Sequence, residues 1–308
     1  MKIKLLIIFF LFYFFSLLNI SYGKENKILF KVNNEIITSI DILEELKYLN
    51  IINSDFDKTE KNQAIEIAKN SLIREKVKRI ELLKYYEVLQ IEEKFIEEII
   101  TNYFARLNIH SLDQFELYFS EKNIDTSLVK EKIAIEILWN QLIYRKFFES
   151  VKINKDQIKM NLSNKEKQKE YLLSEIVFAL EKNEKLEEKL KVIKKTITEK
   201  NFSQAALIYS ISDSSREGGK LDWIKETVLN KKIKEELNNI KKGMFTKPIL
   251  VPGGFLLLYI EEIKITEIPI NKDIEIKKII KQQTNDQLNK YSNIYFKKVK
   301  KNIQINEL

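Results

Sequence analysis

The distribution of glycine and proline is the feature that most constrains the fold of this 308-residue chain. After Gly23, every glycine and every proline falls between Gly218 and Pro269. The segments 24–217 and 270–308 contain neither residue, and they are rich in Glu, Lys, Leu and Ile. Long segments of this composition are typical of helix. The sequence therefore predicts an α+β chain that is mostly helical, with one turn-rich unit in its C-terminal third.

Hydrophobic periodicity gives the expected elements. A short strand is predicted at Ile28–Val32, before the first helix, and a strand-like tip at Ile303–Ile305, after the last helix. We expect these two segments to pair. Thr38 or Ser39, Ser111 and Asn154 are the expected N-caps of three helices. In the unit that contains the turn-rich segment, from 171 to 263, the predicted order is a strand at 171–178, helices at 186–200, 202–209 and 231–241, and strands at 246–251 and 255–263. Residues 210–222 are predicted to be a polar loop, and a final helix to cover 273–300.

The composition excludes several kinds of chemistry. The chain has no cysteine, which excludes disulfides, thiolate nucleophiles, Cys-ligated zinc and iron–sulfur clusters. It has one histidine, His110, so a multi-histidine metal site cannot be built. We expect no metal and no cofactor. The formal net charge is +8, but the lysines alternate with Glu, as in 181–185, which indicates solvated helix faces and no nucleic-acid partner. No P-loop pattern is present, so no ATP requirement is expected.

The first 23 residues have the layout of a secretory signal peptide. Lys2 and Lys4 precede an apolar run from Leu5 to Leu18, and small residues at Ser21 and Gly23 suit cleavage after Gly23. The run of about 14 residues is short for a membrane-spanning helix, which needs roughly 20. The alternative is an uncleaved anchor that tethers the chain to a membrane as a scaffold. We expect an exported protein whose mature form begins at Lys24.

Five fragments of the turn-rich unit resemble parvulin-type (PpiC-type) peptidyl-prolyl isomerases in the family's order and spacing. They are Asn201–Ala206, Tyr209-Ser210, the Gly-Gly-Lys-Leu-Asp-Trp run at 218–223, Lys242–Ile249, and the Gly-Gly-Phe-Leu-Leu-Leu run at 253–258. The resemblance implies a small antiparallel sheet with helices, and a rotamase activity as the family's reaction.

The flanking segments resemble the SurA family of periplasmic chaperones. The run Val32–Asp41 resembles that family's opening motif, and Leu72–Lys76 resembles one of its helical motifs. The resemblance implies a signal peptide at 1–23, an N-terminal helical chaperone domain at 24–169, a parvulin-like domain at 170–264, and a C-terminal helix and strand at 265–308 that pack on the N-terminal domain. Better-known members carry two parvulin units, whereas this chain has one.

The resemblance also locates the expected site. The two histidine positions of active parvulins correspond to Glu175 and Leu256, and the Cys or Asp position corresponds to Ser212. The apolar cup for the proline ring corresponds to Leu229 and Ile233, with Phe255 added from the following strand. Isomerisation of a prolyl bond requires an apolar cup and electrostatic stabilisation of a twisted amide. Because both histidines are replaced, the resemblance implies a peptide-binding groove with weak catalysis or none.

The resulting expectation is a periplasmic chaperone that binds unfolded outer-membrane protein precursors, with the outer-membrane assembly machinery as a further partner. The alternative is an active peptidyl-prolyl isomerase of the periplasm. Asp213, between Ser212 and Ser214, is expected to lie in a solvated turn. About two thirds of a set of aromatic residues are expected to be core and the rest to bind clients: Phe104, Phe115, Tyr118, Phe119, Trp139, Tyr144, Phe147 and Phe148.

Overall fold

A computed structural model of the chain describes residues 26–163, 167–181, 183–267 and 272–308. The predicted signal peptide lies outside the described residues. Among those that are described, no helix is both long enough and apolar enough to cross a membrane.

The described part of the chain contains ten α-helices and seven strands, interrupted by short 3-10 turns. The helices are α1 (Ser39–Ile52), α2 (Lys61–Leu82), α3 (Glu93–Tyr103), α4 (Leu112–Ser120), α5 (Thr126–Phe147), α6 (Lys155–Ser163), α7 (Leu186–Glu199), α8 (Phe202–Tyr209), α9 (Lys231–Asn238) and α10 (Lys272–Lys301). The strands are β1 (Ile28–Val32), β2 (Glu35–Thr38), β3 (Lys167–Phe178), β4 (Lys220–Lys225), β5 (Ile249–Val251), β6 (Gly254–Glu267) and β7 (Ile305–Glu307).

Local capping defines where several helices begin. Thr38, and not Ser39, caps α1, and it forms a capping box in which the Asp41 carboxylate accepts from the Thr38 backbone N–H at 2.7 Å. Ser111 accepts from the backbone of Gln114 at the start of α4, and Asn154 accepts from Gln157 at the start of α6. Each cap satisfies a backbone donor that the first turn of a helix leaves unpaired.

The two ends of the described chain meet in a three-stranded sheet of order β2-β1-β7. β7 pairs antiparallel with β1, with Phe30 opposite Glu307 and Val32 opposite Ile305. The predicted pairing of the chain ends is therefore confirmed, although the C-terminal strand begins at Ile305, where the predicted tip ends. The sequence does not predict the strand β2, because it has only four residues and its last, Thr38, is also the N-cap of α1.

The turn-rich unit is built on a four-stranded antiparallel sheet of order β4-β3-β6-β5. The long central pair, β3 and β6, runs from Lys167 opposite Glu267 to Phe178 opposite Phe255. The predicted polar loop at 210–222 is wrong in its last part, because Lys220–Lys225 form the edge strand β4. The lysines and the aspartate of β4 interrupt the run of apolar residues that would indicate a strand. Charged residues of this kind are common on an edge strand.

The main hydrophobic core joins residues from both ends of the chain. Trp139 of α5 is fully buried, and its indole N–H donates to Ser292 Oγ of α10 at 2.8 Å. Tyr295 and Phe296 of α10 pack on the same indole ring. Leu207 of α8 belongs to this core as well. The fold is α+β, as predicted: N- and C-terminal helical segments pack together, and a sheet-containing unit lies between them in the sequence.

The aromatic residues of the set divide into buried, partly buried and exposed ones. Phe104, Phe115, Phe119 and Trp139 are buried, and the three phenylalanines form a second core with α3, α4 and α5. Tyr144 and Phe148 are exposed and stack on each other with ring centroids 4.5 Å apart. Exposed stacked rings offer apolar surface to another chain, since burial of aromatic area is favourable.

Candidate functional site

A groove lies on one face of the four-stranded sheet. Alternate residues of a strand point to the same face, so Leu173, Glu175 and Val177 of β3 share this face. Leu258 is the cross-strand partner of Glu175, and Leu256 is the partner of Val177. All five residues line a cavity of about 170 Å³. Because an engineered apolar cavity of about 150 Å³ holds a benzene molecule, this volume suits one apolar side chain or a proline ring.

The structure brings together most of the predicted site residues. Leu229, which lies between β4 and α9, and Ile233 of α9 line the cavity with Glu175, Ser212 and Leu256. Leu229 and Leu256 are buried, and Ile233 is half-buried against the same core. An apolar cup is therefore present at the positions where the sequence resemblance places one.

Phe255 does not join the groove. It is adjacent to Leu256 in β6, so its side chain points to the opposite face of the sheet. There its ring stacks on Phe178 with centroids 5.7 Å apart, within a separate core under α7 and α8. The assignment of Phe255 to the proline cup is corrected accordingly.

Glu175 forms the polar part of the groove with two hydroxyl groups. Ser212 Oγ donates to Glu175 Oε1 at 2.5 Å, and Ser214 Oγ donates to the same oxygen at 2.9 Å. Burial raises the pKa of the Glu175 carboxyl, and the two hydroxyl donors and Lys290 act in the opposite direction. The groove therefore presents a carboxyl group that is hydrogen-bonded to two serine hydroxyls.

The C-terminal helix α10 supplies a second polar side of the groove, which the sequence did not indicate. Asp286, Asn289, Lys290 and Asn293 line the cavity opposite the sheet. Burial raises the pKa of Asp286 to about 6, Lys290 acts against this shift, and the negative charge of Glu175 adds to it. In sequence these residues resemble an ordinary solvated helix face, because nothing local shows that the sheet packs against it.

The loop that carries Ser212 is fixed to the helical part by ion pairs. Asp213 accepts from Lys78 Nζ at 2.9 Å and from Arg74 at 3.2 Å, both on α2. These cations hold the pKa of Asp213 well below its usual range, although burial alone acts to raise it. Asp213 is exposed in the 3-10 turn Asp213–Glu217, as expected of a solvated turn, but its carboxylate is paired with two cations. Its partners are 135 and 139 residues away in sequence, so local pattern could not reveal them.

The same ion-pair network continues into α5. Lys78, 1% exposed in its side chain, also donates to Glu136 at 2.6 Å, and Arg216 donates to Glu136 at 3.2 Å. We call Arg74, Lys78, Glu136, Asp213 and Arg216 the ionic clamp. Lys78 and Glu136 are buried, and buried charges are tolerated when they are paired and hydrogen-bonded. The clamp holds the groove-side loop against two helices of the helical part.

Two glycines close the loop where β4 begins. Gly219 has a φ of +79°, and a Cβ built on it would lie 2.2 Å from the carbonyl oxygen of Glu175. The Glu175 backbone N–H in turn donates to the Gly219 carbonyl at 2.7 Å. Only glycine allows this close approach at a positive φ. The backbone of the groove carboxylate is therefore held directly by the loop.

The chemical capacity of the groove follows from its polar groups. Its described lining contains the carboxyls of Glu175 and Asp286, the Lys290 ammonium, Ser212 and two asparagines, and no imidazole. The one histidine, His110, precedes α4, is exposed, and does not line the groove. Among the described residues no group of three or more His, Cys, Asp or Glu is arranged to hold a metal ion. The groove can hold an apolar side chain beside a hydrogen-bonding carboxyl.

Comparison with known proteins gives the following matches. Residues 172–262 match the model of the Rotamase family, the PPIC-type PPIASE domain. The chain is 24% identical over 169 residues to a protein named Chaperone SurA from Pseudomonas putida, a match that covers 51% of this chain and 40% of the relative. A Chaperone SurA from Methylococcus capsulatus is 24% identical over 179 residues, covering 54% and 39%. The chain thus matches about two fifths of the length of these curated relatives.

Solved structures show distant similarity. One is a Campylobacter jejuni structure from a study of PEB4 and Cj1289, described as SurA-like chaperones, with 18% identity, a TM-score of 0.36, and coverage of 92% of this chain and 99% of that one. Another is the peptidylprolyl isomerase PrsA from Bacillus anthracis, with 18% identity, a TM-score of 0.32, and coverage of 75% and 93%.

Proposed function

We propose that this chain, which is SurA-like and carries a PPIC-type PPIase domain at 172–262, acts as a chaperone that binds unfolded polypeptides and does not depend on prolyl isomerisation. Its clients are proposed to be outer-membrane protein precursors, bound after export to the periplasm and passed to the outer-membrane assembly machinery. No nucleotide is required. Binding covers apolar segments and unpaired strand edges that otherwise aggregate.

One observation carries the proposal. The groove has an apolar cup, Glu175 and Leu256 line it at the positions that the sequence resemblance assigns to the imidazoles of active parvulins, and the Glu175 carboxyl accepts hydrogen bonds from Ser212 and Ser214. An apolar cup is sufficient to bind a side chain of a client. Acceleration of isomerisation additionally needs polar groups aimed at the twisted amide, because only interactions that strengthen in the transition state raise the rate.

The helical part adds a second surface suited to unfolded chains. A cavity of about 680 Å³ lies beside the segment that follows α2, and it is lined by Leu83, Val88, Ile91 and Ile96 among others. Val88 is 62% exposed and Leu83 is 45% exposed. The stacked pair Tyr144 and Phe148 offers further aromatic surface on α5. Several separate apolar sites are what weak, many-sited binding of an extended client requires.

The proposed organisation follows the predicted boundaries. We propose a signal peptide at 1–23, a helical chaperone domain at 24–169, a parvulin-like domain at 170–264, and a C-terminal segment at 265–308 that completes the helical domain. The pairing of β1 with β7 and the contact of Trp139 with Ser292 support the last assignment. N-terminal sequencing of the exported protein tests the first: a start at Lys24 is expected, and retention of residues 1–23 would favour the membrane-tethered scaffold.

Aggregation of a urea-unfolded outer-membrane β-barrel protein, diluted into buffer and followed by light scattering, tests the chaperone function. Suppression near an equimolar ratio, without nucleotide, is expected. Replacement of Val88 by Ser should weaken suppression, whereas the matched replacement of Leu117, which is 60% exposed on α4, should leave it nearly unchanged. Scattering equal to that of buffer alone would reject the chaperone proposal.

The alternative function, an active isomerase, is favoured by one observation: Leu229, Ile233 and Leu256 still form an apolar cup next to a carboxyl. A protease-coupled assay on a short proline peptide separates the two functions. We expect a rate equal to that of buffer. A rate that rises in proportion to protein concentration would establish the isomerase, with suppression of aggregation judged separately.

A further inference from the structure

A third cavity, of about 380 Å³, lies where α2, α8, the end of β3 and α10 meet. Its lining is unusually basic. Five cationic side chains line it, and one acidic side chain, Glu181, faces them. The cationic residues are Arg74, Lys189, Arg216, Lys297 and Lys300. The groove described above lies on the other side of Ser212, and only Asn293 of α10 is shared by the two linings.

The basic side chains of this cavity are neutralised to different degrees. Arg74 shares Asp213 with Lys78, Arg216 shares Glu136 with the same lysine, and Lys189 pairs with Glu184 at 3.2 Å. The carboxylates of Glu45 and Glu75 also act on Arg216, so the excess of positive charge lies toward Lys297 and Lys300. Lys300 stands at the open rim, and burial together with the charge of Arg74 lowers its pKa. Each of these cations gains from an added negative charge, because like charges that are partly desolvated repel one another.

Two buried donors are also available to a ligand. Within the described part of the chain, neither Ser71 Oγ nor Arg216 Nε has a hydrogen-bond partner, although both atoms are buried. Ser71 is 7% exposed, and both residues line the cavity. A buried donor without a partner costs about 1–3 kcal/mol, and an acceptor oxygen placed in the cavity would remove that cost. This observation is independent of the charge excess.

The remaining wall of the cavity is apolar. Leu180, Leu207, Ile211 and Phe296 line it beside the basic side chains. A small inorganic anion would leave this surface uncovered and would fill little of the space. A ligand that joins an oxyanion to an apolar group satisfies both parts of the wall.

We propose that this cavity binds a carboxylate attached to a short apolar group. The carboxylate contacts Arg74, Arg216 and Lys300, and the apolar group packs on Leu207 and Phe296. Two sources present this chemistry: the C-terminal end of a polypeptide whose last residue is apolar, and a free amphiphilic carboxylate. Either ligand contacts α2, the 210–216 loop and α10 at once. Its binding therefore stabilises the packing of the sheet unit on the helical part.

Isothermal titration calorimetry on the full protein tests the site with four probes. They are N-acetyl-Ala-Ala-Leu as the free acid, the same peptide as its C-terminal amide, sodium hexanoate, and inorganic phosphate. The acid peptide is expected to bind and the amide to bind at least about tenfold more weakly, because a charge-assisted hydrogen bond is lost. Hexanoate binding as tightly as the acid peptide would identify a free amphiphile as a ligand; much weaker binding would identify the chain end.

Lysine variants of α10 locate the binding. Lys300→Gln should weaken the acid peptide about threefold to tenfold, whereas Lys298→Gln, an exposed lysine on the same helix outside the cavity, should not. Raising the salt concentration should weaken binding to the wild-type protein. Equal affinities for acid and amide, binding of phosphate alone, or equal effects of the two lysine variants would each overturn the proposal. These titrations involve neither an aggregating client nor prolyl isomerisation. Their outcome therefore does not depend on whether the chaperone function is correct.

Discussion

Ser212 and Asp213 are adjacent in sequence, and their side chains contact partners on opposite sides of one loop. Ser212 Oγ donates to the groove carboxyl of Glu175 at 2.5 Å, and the Asp213 carboxylate accepts from Lys78 Nζ at 2.9 Å. One peptide unit therefore links the floor of the groove to a helix of the helical part.

The ionic clamp should contribute strongly to stability. Lys78→Met leaves the buried carboxylate of Glu136 with Arg216 alone and the exposed carboxylate of Asp213 with Arg74 alone, so we expect the free energy of unfolding to fall by up to about 3–5 kcal/mol. Arg106→Gln is the control, because Arg106 bridges Glu217 and Asp222 in an exposed pair and should cost less than about 1 kcal/mol. Urea titrations compare the two. Equal losses would show that the clamp does not stabilise the fold.

Asp286 should make stability depend on pH. Its pKa in the folded protein is raised to about 6, so the folded state binds more protons than the unfolded state between about pH 4 and pH 6. Stability from this group is present below its ordinary pKa and is lost as pH rises through 6. Glu175 and Lys290 face it, and Lys290 partly offsets the loss.

Asp286→Asn should therefore raise the melting temperature at pH 7.5 and have little effect below pH 4. The gain is at most about 3 kcal/mol, since one pKa unit corresponds to 1.36 kcal/mol. Asp57→Asn, at an exposed position away from the groove, is the control. A gain of the same size at both pH values would contradict the assignment.

Gly219 should tolerate no side chain. Gly219→Ala places a Cβ 2.2 Å from the Glu175 carbonyl oxygen, so the loop must move. Gly243→Ala is matched to it, because its φ of +83° is similar and its Cβ would meet open space. The control should cost about 1–2 kcal/mol, the usual penalty of a left-handed conformation, and Gly219→Ala should cost clearly more. Thermal unfolding of the pair decides, and equal costs would disprove the close approach.

The C-terminal strand should hold the two ends of the chain together. Deletion of residues 303–308 removes β7 and the bond from the Asn33 N–H to the Gln304 carbonyl at 2.9 Å. We expect the melting temperature to fall by at least about 4 °C, since 1 kcal/mol corresponds to about 2–4 °C for a protein of this size. Leu308→Ala, which keeps the backbone and alters a side chain 71% exposed, should change it little. An unchanged melting temperature after the deletion would argue against the pairing.

Much of this architecture is predictable from sequence, because it depends on local pattern. The placement of glycine and proline separates the sheet unit from the helical segments, and caps such as Asn154 locate helix starts. The groove positions Glu175, Ser212 and Leu256 follow from motif spacing, and the structure brings them together. Motif position alone places Phe255 in the groove, whereas the alternation of side chains along β6 places it on the opposite face, against Phe178.

The features missed from sequence all depend on distant partners. Asp213 is an exposed turn residue, as its sequence indicates, but its ion pairs with Lys78 and Arg74 are not predictable from sequence. Asp286 and Lys290 belong to a helix with a polar pattern, and only the packing of the sheet on that helix makes them groove residues. Local sequence carries no signal for such contacts, because the helix periodicity is the same whether that face meets solvent or a polar groove.

The central claim is that the groove binds a peptide without catalysing isomerisation, and exchange NMR on one proline peptide tests both parts together. Added protein should broaden or shift the peptide resonances, and Ile233→Asp, which places a charge in the cup, should reduce that effect. No exchange cross-peaks between the cis and trans forms should appear beyond those of the free peptide. Cross-peaks that grow with protein concentration would show catalysis, and unchanged resonances would show that the groove holds no peptide; either result would contradict the account.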